Sequence, residues 1–390
     1  METREFPGGS HIAAEVVESW GDHNRVGTNV VVEAKRLRLG RNVWIGAEED
    51  EDAFRRPGGV RIRVDTLILG DNVRIGRQVL MRGGHIELRR DSRIGHDCTV
   101  KVNKSLVVGE HGIINDQCEI AGVNIEIGRE LWMLSNAKIG GGSAFEVHSS
   151  LRAGHWLHLG TRTLVNTARP VVLGDEVGLG TGTSLYTHGA YPSALEGKPV
   201  AFGPITIGDR SWLPGAVVNP SVTIGADCVI GVGSVVTKDV PTGSLAAGVP
   251  AKVLKENAYP RPLTDDARLG FVRDFFKAFG EICSDREPVE FDLESQHPRL
   301  RVGTATLIYA LDAGAAGGAL SGHPGHAIVL AGGGTLGGVK ALPVWTLIDL
   351  AGKCVSGTAS PLTERLLNQL RRYGIRFNFE AADGRYRAWA

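Results

Sequence analysis

The chain has 390 residues, with 43 basic and 43 acidic side chains, so its formal net charge is zero. That balance argues against a nucleic-acid-binding protein, because such proteins usually carry a basic excess or stripe. Glycine is the commonest residue, at 53 positions, and aromatic residues make up only 6% of the chain. A chain of this length has room for two domains.

Residues 1–5 are polar and acidic and lack the apolar core of a signal peptide. No apolar run approaches the roughly 18 residues that span a bilayer, so we expect a cytoplasmic protein without a membrane span. The five cysteines are scattered and include no Cys-x-x-Cys pair. Their spacing favours reduced thiols inside or beside the core over disulfides.

Aliphatic residues recur every six positions through much of the first 240 residues, a period that fits neither an α-helix nor a long alternating strand. This repeat is typical of a parallel β-helix, in which each hexad is a short strand plus a corner and three hexads close a coil of about 18 residues. A glycine that follows the aliphatic residue, as in Ile207-Gly208, is expected to let the backbone turn. The recurring positions include Leu69, Ile75, Met81, Val108, Ile114, Ile120, Ile127, Met133, Ile139, Phe145, Leu151, Leu173, Leu179, Leu185, Ile207, Leu213, Ile224, Ile230 and Val236.

The repeat is predicted to run from about Leu39 to Val240, inside a β-helical domain at 1–255. Two segments do not fit it, an acidic and Gly/Pro-containing stretch near 47–60 and a second stretch at 189–204, and both are predicted to be loops that leave the coil. Only 17 residues separate Ile207 from Ile224, so one coil is expected to be a residue short near Trp212.

The remaining residues have a different pattern, which predicts a linker and helix at 256–285 and a small α/β domain of unknown role at 286–390. An i, i+3, i+4 stripe of apolar residues indicates the first helix, and Ser360 is a good N-cap for the last one. The predicted elements are a helix at 265–282, strands at 305–308, 327–330 and 344–350, a helix at 361–373 and a further strand at 375–379.

Residues 332–337 formally match the dinucleotide-binding pattern G-x-G-x-x-G. That site needs a helix directly after the glycines, whose N-terminus holds the pyrophosphate. Pro343 follows too soon for such a helix, so a glycine-rich turn between strands is favoured.

Residues 173–255 resemble the hexapeptide-repeat acyltransferases, and they are most similar to the maltose and galactoside O-acetyltransferase branch. The resemblance lies in Leu185-Tyr186-Thr187-His188, in Val235-Val236-Thr237-Lys238-Asp239-Val240-Pro241 and in the closing Gly248-Val249-Pro250-Ala251-Lys252. It implies a left-handed parallel β-helix, a homotrimer with active sites between neighbouring subunits, and acetyl-CoA as the donor. The C-terminal residues contribute nothing to it.

His188 lies where the repeat stops after Leu185, so its side chain is expected at an edge of the β-helix. Imidazole is well suited to act as a general base near neutral pH, and the resemblance implies this role for His188. One departure is that His188 directly follows Thr187, whereas the nearest branch places its histidine two residues later. The candidates for binding the acceptor are Tyr191 in the 189–204 loop, Trp212 and Asn166.

The resemblance also implies a set of donor contacts along the last coils. Small residues let the pantetheine arm approach the backbone, and lysines suit the phosphates of CoA. Val232 departs from the alanine usual in the family, which narrows the expected groove. The candidate CoA-binding residues are Gly215, Val232, Thr237, Lys238, Lys252 and Lys255.

The sequence therefore predicts an acetyl-CoA-dependent O-acetyltransferase that acts on a carbohydrate or a glycosylated metabolite. An N-acetyltransferase acting on an amino sugar or a sugar nucleotide stays open, and so does a non-catalytic trimeric scaffold. A zinc hydratase of the same fold is disfavoured, because no two histidines are five residues apart and a zinc site needs three or four converging ligands. We expect no metal.

Overall fold

The computed structural model of the protein describes residues 2–47, 59–141, 144–191, 193–311, 326–332, 345–357 and 360–377. The chain divides into two compact units, 1–261 and 262–390. Each unit has its own hydrophobic core, and they are described in turn.

The first unit consists almost entirely of short strands. In chain order these are β1 (Glu2–Phe6), β2 (Ser10–Trp20), β3 (Arg25–Val26), β4 (Val31–Leu39), β5 (Trp44–Ile45), β6 (Arg61–Leu69), β7 (Arg74–Ile75), β8 (Leu80–Leu88), β9 (Arg93–Ile94), β10 (Thr99–Val102), β11 (Val107–Val108), β12 (Ile113–Ile114), β13 (Glu119–Gly122), β14 (Asn124–Ile127), β15 (Trp132–Met133), β16 (Lys138–Ile139), β17 (Ser150–Ala153), β18 (His158–Leu159), β19 (Leu164–Val165), β20 (Val171–Leu173), β21 (Gly178–Leu179), β22 (Ser184–Leu185), β23 (His188–Gly189), β24 (Ala201–Phe202), β25 (Ile205–Ile207), β26 (Trp212–Leu213), β27 (Val217–Val218), β28 (Thr223–Ile224), β29 (Val229–Ile230), β30 (Val235–Val236), β31 (Leu245–Gly248) and β32 (Ala251–Lys255).

These strands stack in parallel, coil upon coil. Ile62 pairs with Met81 and Met81 pairs with Val100, 19 residues apart in each case. A typical coil contributes three strands, such as β20, β21 and β22. The middle strand of each coil belongs to a sheet made of β3, β5, β7, β9, β12, β15, β18, β21, β26, β29, β31 and β32, which we call the second sheet. Apart from the hairpin β23–β24, the other strands of this unit form one larger sheet.

The aliphatic residues predicted from the six-residue repeat fill the core, with Leu69, Met81 and Leu185 fully buried. This confirms the predicted fold class, mainly β with a parallel β-helix followed by a small α/β unit, and it is consistent with the left-handed winding of the resembled family. Four cysteines of the described chain are free and buried. Burial raises the pKa of the Cys228 thiol.

The parallel stack begins further upstream than predicted. His11 in β2 already pairs with Val31 in β4, although the repeat is evident only from about Leu39. The early strands β2, β4, β6 and β8 are nine to eleven residues long. Each of them spans positions that two separate strands occupy in later coils. For example, β8 pairs with both β10 and β11. Strands β2, β4 and β6 contain no glycine that would mark a corner, which hides the six-residue period.

The role predicted for the glycine after each aliphatic residue is also corrected. Gly70 and Gly109 do not adopt left-handed backbone angles; instead the residues two positions later do, with φ of 59° at both Asn72 and His111. A Cβ atom on Gly70 would lie 2.6 Å from the backbone nitrogen of Arg90 in the next coil. The glycine is therefore needed for close stacking of neighbouring coils.

An excursion of the chain from the coil explains why Phe145 does not lie where the repeat predicts. Phe145 was expected to point inward but is 54% exposed, because the chain leaves the coil after Ile139. Ile139 pairs with Val165, 26 residues later, where the preceding pair, Ile120 and Ile139, is 19 apart. Most of the loop predicted near 47–60 lies outside the described residues.

The predicted short coil is confirmed, since Ile207 pairs with Ile224. The missing residue falls at the corner between β26 and β27. Leu213 and Val218 are five residues apart, whereas Leu179 and Leu185 in the preceding coil are six apart. Gly215 occupies this tight corner with φ of 80°.

In the described residues of the second unit there are a six-stranded sheet and two helices. The strands are β33 (Val289–Asp292), β34 (Arg299–Val302), β35 (Ala305–Ala310), β36 (His326–Ala331), β37 (Trp345–Asp349) and β38 (Cys354–Gly357), paired in that order, and the helices are α1 (Asp265–Ser284) and α2 (Pro361–Arg372). The predictions of both helices and of β35, β36 and β37 are confirmed, whereas β33, β34 and β38 were missed.

Helix α1 was assigned to a linker region, but its aromatic residues Phe275, Phe276 and Phe279 lie in the same core as Leu300 of β34. Thr264 caps its N-terminus and Ser360 caps α2, the latter as predicted. Residues 375–377 form no strand. The rest of the strand predicted at 375–379, and residues 333–337 of the glycine-rich stretch, lie outside the described residues.

Candidate active site

His188 lies at the corner that follows the third strand of its coil, β22. We call this the third corner. It joins the third strand of one coil to the first strand of the next, and both of these strands belong to the larger sheet. The third corner is therefore opposite the second sheet. The side chain of His188 is half-buried, and its backbone pairs with Phe202 in the two-residue hairpin β23–β24. This agrees with the expectation of an edge position and shows that the 189–204 loop starts as a hairpin.

Three successive coils contribute to the surroundings of His188 at this corner. Val165 pairs with Ile139 of the coil before and with Leu185 of the coil after. The residue next to Val165 is Asn166, which is 4% exposed. Its side chain spans the stack, because Nδ2 donates to the carbonyl of Gly141 at 3.0 Å and Oδ1 lies 3.0 Å from His188 Nδ1.

The orientation of the Asn166 amide follows from its two backbone partners. Nδ2 faces the carbonyl of Gly141, which can only accept, and Oδ1 receives the backbone N–H of Ala168 at 3.1 Å. Oδ1 must therefore accept from His188, so Nδ1 carries a proton. A neutral ring protonated at Nδ1 has its lone pair at Nε2, which is the form that can act as a base.

Thr187 completes this polar core. It is fully buried, and its hydroxyl lies 2.6 Å from Asn166 Oδ1 and accepts the backbone N–H of Arg169 at 3.1 Å. The hydroxyl thus ties the residue before His188 to the coil that carries Asn166. The result is a buried hydrogen-bonded network beneath a half-buried imidazole.

An aromatic and charged cluster lies beside the imidazole. The ring of Phe202 stacks on His188, with centroids 5.8 Å apart and an interplanar angle of 16°. The guanidinium carbon of Arg169 lies 4.6 Å from the centroid of the same phenyl ring, and this guanidinium pairs with Glu146 at 3.2 Å. Stacking on one side and the hydrogen bond to Asn166 on the other restrict rotation of the His188 ring.

The 189–204 loop extends into solvent. Tyr191 and Leu195 are both fully exposed, and a short 3-10 helix occupies Ala194–Glu196. The loop returns to the coil at Gly203, whose backbone N–H donates to the carbonyl of Thr187 at 2.9 Å. Tyr191 therefore lies at the far part of the loop, and the structure does not bring it to His188.

The predicted donor residues fall into three groups. Thr237 and Lys238 are exposed and follow β30, so they lie at the third corner, two coils beyond His188. Gly215 and Val232 lie at the corner between the second and third strands, where Val232 is 79% exposed. Stacked strands are about 4.8 Å apart, so Lys238 is roughly 10 Å along the β-helix from His188.

Lys252 and Lys255 belong to neither corner. They lie on the last strand of the unit, β32, which pairs antiparallel with β31, so that Lys252 is opposite Ala247. Ala247 in turn lies next to Gly231, because a Cβ atom on Gly231 would be 2.7 Å from the Ala247 side chain. Lys252 is thus near Val232, and both lysines are exposed.

Trp212 lies on the second sheet, on the opposite side of the coil from the third corner. Its ring covers Gly178 of the preceding coil, where an added Cβ would be 2.4 Å from the indole. Asn166, also expected to hold the acceptor, is buried behind His188 with its amide fully engaged. The structure thus brings Asn166 to His188, and it places Tyr191 and Trp212 elsewhere in the same protomer.

Parts of this chain are similar in sequence to known proteins. No protein-family model matches the chain. It is 44% identical over 91 residues to the galactoside O-acetyltransferase of Escherichia coli (strain K12), covering 22% of this chain and 44% of that protein. It is 51% identical over 70 residues to a putative acetyltransferase of Staphylococcus aureus (strain MRSA252), covering 17% of this chain and 35% of the relative.

Two solved structures also have sequences similar to part of this chain. A galactoside acetyltransferase in complex with coenzyme A is 26% identical, covers 36% of this chain and 70% of that one, and gives a TM-score of 0.29. A maltose O-acetyltransferase from Clostridium difficile 630 is 26% identical, covers 38% and 68%, and gives a TM-score of 0.24. Over the matched segment, the chain is similar to galactoside O-acetyltransferase. It spans less than half the length of the curated relatives described above.

The sequence missed Arg169 and Glu146, which flank His188 through Phe202. Both lie outside the segment whose motifs carry the resemblance to these acetyltransferases, and no local pattern marks them. The sequence spacing of Asn166 and Thr187 does indicate that they are neighbours. They are 21 residues apart, which is close to the length of one coil. Among the described residues, no group of three or more His, Cys, Asp and Glu side chains is arranged to hold a metal ion, and no helix there is both long and apolar enough to cross a bilayer.

Proposed function

We propose that this protein is an acetyl-CoA-dependent O-acetyltransferase of a carbohydrate or a glycosylated metabolite, with His188 as the general base. The observation that carries the proposal is the hydrogen bond from His188 Nδ1 to an Asn166 amide whose orientation is fixed by two backbone groups. In the neutral ring, this hydrogen bond leaves the lone pair on Nε2, at a half-buried edge. The similarity to galactoside O-acetyltransferase supports a sugar hydroxyl as the acceptor.

In this mechanism, Nε2 of His188 removes the proton from the acceptor hydroxyl as its oxygen attacks the thioester carbonyl of acetyl-CoA. The tetrahedral intermediate collapses with cleavage of the C–S bond, and the imidazolium returns its proton to the CoA thiolate. Positive charge develops on the imidazole during attack. Asn166 Oδ1 stabilises that charge by accepting from Nδ1, and the face of Phe202 does so through its π-electrons.

The distribution of donor candidates supports an oligomeric site. Thr237 and Lys238 share the third corner with His188, so a donor lying along that corner could contact them and present its thioester to Nε2. Gly215 and Val232 lie at another corner and cannot line the same groove within one protomer. We therefore propose a homotrimer in which a neighbouring subunit presents that second corner, and in which the exposed 189–204 loop reaches across.

The test is the His188→Ala variant, assayed for CoA release from acetyl-CoA and, by mass spectrometry, for acetyl transfer to sugars, amino sugars and sugar nucleotides. Loss of the base is expected to lower kcat by about 10² to 10⁴. The fold should persist, because His188 is outside the buried core. Turnover close to wild type in this variant would refute the assignment. Transfer to amines but not to hydroxyls would replace the O-acetyltransferase with an N-acetyltransferase.

A further inference from the structure

The outward side of the second sheet carries a regular column of side chains. The first residue of each strand from β3 to β31 points away from the core, and consecutive members pair in register from coil to coil. None of these eleven residues is acidic. Arginines and tryptophans recur in the column, as Arg25, Trp44, Arg74, Arg93, Trp132 and Trp212. We refer to it as the Arg/Trp column.

Two kinds of stacking organise the column. Near its start, the guanidinium carbons of Arg25 and Arg74 lie 4.3 Å and 3.9 Å from the centroid of Trp44. Further along, Trp132 and Trp212 are 48% and 40% exposed. Trp212 lies against the backbone of Gly178 and Gly180, where added Cβ atoms would be 2.4 Å and 3.0 Å from the indole. Its opposite face is consequently turned to solvent.

The charges of the column differ from those of the rest of the coil. Strands of the larger sheet carry carboxylates beside their cations, and several of these form ion pairs, as in Lys138–Glu119 at 2.7 Å and Arg152–Glu126 at 3.6 Å. Within the described part of the chain, Arg25 and Arg93 form no ion pair with a carboxylate. Acidic side chains lie at the flanking corners, for example Asp97, and not in the column itself. A ligand that follows the column therefore meets the guanidinium groups of Arg25 and Arg93 and the exposed rings of Trp132 and Trp212.

We propose that the Arg/Trp column is a binding site for an acidic oligosaccharide or polysaccharide. Successive positions are about 4.8 Å apart, roughly the length of one pyranose ring, so a glycan lying along the β-helix can meet one side chain per sugar unit. Tryptophan faces pack on the apolar faces of sugar rings, and guanidinium groups bind carboxylates. The flat ring of Trp212 distinguishes this surface from one that binds anions alone.

A second copy of this chain fits the column less well. Carboxylates of the larger sheet such as Glu119 and Glu126 are already paired within the protomer, and two Arg/Trp columns facing each other would bring arginines together. The choice of a carbohydrate as the ligand rests on the proposed function. Because the third corner is opposite the second sheet, the column is separate from His188 in the same protomer, and binding there can be measured without acetyl transfer.

The experiment is a calorimetric titration of the full chain with hexagalacturonate as the acidic probe and maltohexaose as the neutral one, at low and high salt. We expect hexagalacturonate to bind, maltohexaose to bind more weakly, and the difference between them to shrink as salt screens the charges. The Arg93→Ala variant should raise the dissociation constant about fivefold, the upper range for an exposed ion pair. The Trp132→Ala variant should weaken both probes.

Arg152→Ala is the matched control, since it removes an exposed arginine from the larger sheet, and it should leave binding unchanged. His188→Ala should also keep its affinity, so that loss of catalysis and loss of binding are separate results. The proposal is overturned if wild type does not bind hexagalacturonate, if Arg152→Ala weakens it as much as Arg93→Ala, or if an oligonucleotide of equal charge binds as tightly. It is also overturned if Trp132→Ala dissociates an oligomer in sedimentation, because the column would then be a subunit interface.

Discussion

Replacement of Asn166 by alanine separates the positioning of His188 from the stability of the coil. The substitution removes the acceptor of His188 Nδ1 and also leaves two backbone groups, the N–H of Ala168 and the carbonyl of Gly141, without their partner. His188 itself and its stacking on Phe202 remain. The variant therefore keeps the proposed base and loses the group that fixes its protonated nitrogen.

The expected magnitudes follow from these contacts. A buried backbone group left without a partner costs about 1 to 3 kcal/mol, so the two together should lower the free energy of unfolding by about 2 to 6 kcal/mol. A displacement of a catalytic group by about 1 Å can reduce the rate 10²-fold. We expect kcat to fall by about that factor, less than the largest loss expected for His188→Ala, with a smaller change in KM.

Asn24 provides a matched control. Its Nδ2 donates to the carbonyl of Gly21 at 2.9 Å, and its Oδ1 accepts the N–H of Val43 at 2.8 Å, so it makes the same two kinds of backbone contact far from His188. Asn24→Ala should lower the unfolding free energy similarly, measured by denaturant titration, and leave acetyl transfer unchanged. Turnover in Asn166→Ala equal to that of Asn24→Ala would contradict the positioning role.

Asn166→Asp adds a readout that depends on pH. A carboxylate at this position still accepts from Nδ1, and its negative charge raises the pKa of the imidazole. The acidic limb of the kcat/KM profile should therefore move to higher pH, with part of the activity recovered relative to alanine. An unshifted limb would mean that the group titrating in that profile is not His188.

Two further predictions concern the coil and the second unit. Gly109→Ala should destabilise the first unit by about 1 to 3 kcal/mol, because the added Cβ would lie 2.5 Å from the backbone nitrogen of Arg129. In helix α1, the Cβ added by Gly270→Ala meets no atom within 4 Å, so this substitution should stabilise the second unit by about 1 kcal/mol. Thermal unfolding of each variant measures both effects. The backbone N–H of Arg41 holds the pKa of Asp71 below its ordinary value, so this contact stabilises the fold at neutral pH and its contribution is lost as pH falls through the lowered pKa. The stability difference between wild type and Asp71→Asn should accordingly vanish in acid, and a difference that persists there would contradict the assignment.

The six-residue period predicted the architecture because it records a direct physical constraint, one inward side chain per strand of the β-helix. The period failed to predict the long continuous strands β2 and β4, which are not broken by a corner. It also failed at Phe145, where the chain leaves the coil. Strands β33 and β34 were missed for a different reason. They form an edge hairpin whose outer strand is mostly exposed, so it lacks the apolar run that marks β35.

For the site, the sequence could indicate His188 and its motif but not the partners that other coils supply. The sequence suggests Asn166 only as a contact of the acceptor. The position of Asn166 in the repeat does not reveal that its side chain donates to the carbonyl of Gly141. Arg169 contacts both Phe202 and Glu146 because two excursions, which carry Glu146 and Phe202, leave from the same corner. Contacts between coils depend on loop lengths, and the repeat specifies the coil rather than the loops.

This shared corner also explains why the chemistry should be found there. A β-helix stacks its coils so closely that glycines such as Gly70 and Gly109 cannot carry a Cβ. Within one protomer, excursions from the coil place additional side chains around a reacting group. The third corner has two such excursions within three coils, and the polar network from Gly141 through Asn166 to His188 links them. The network gives the imidazole a buried, oriented support that the repeat by itself does not provide.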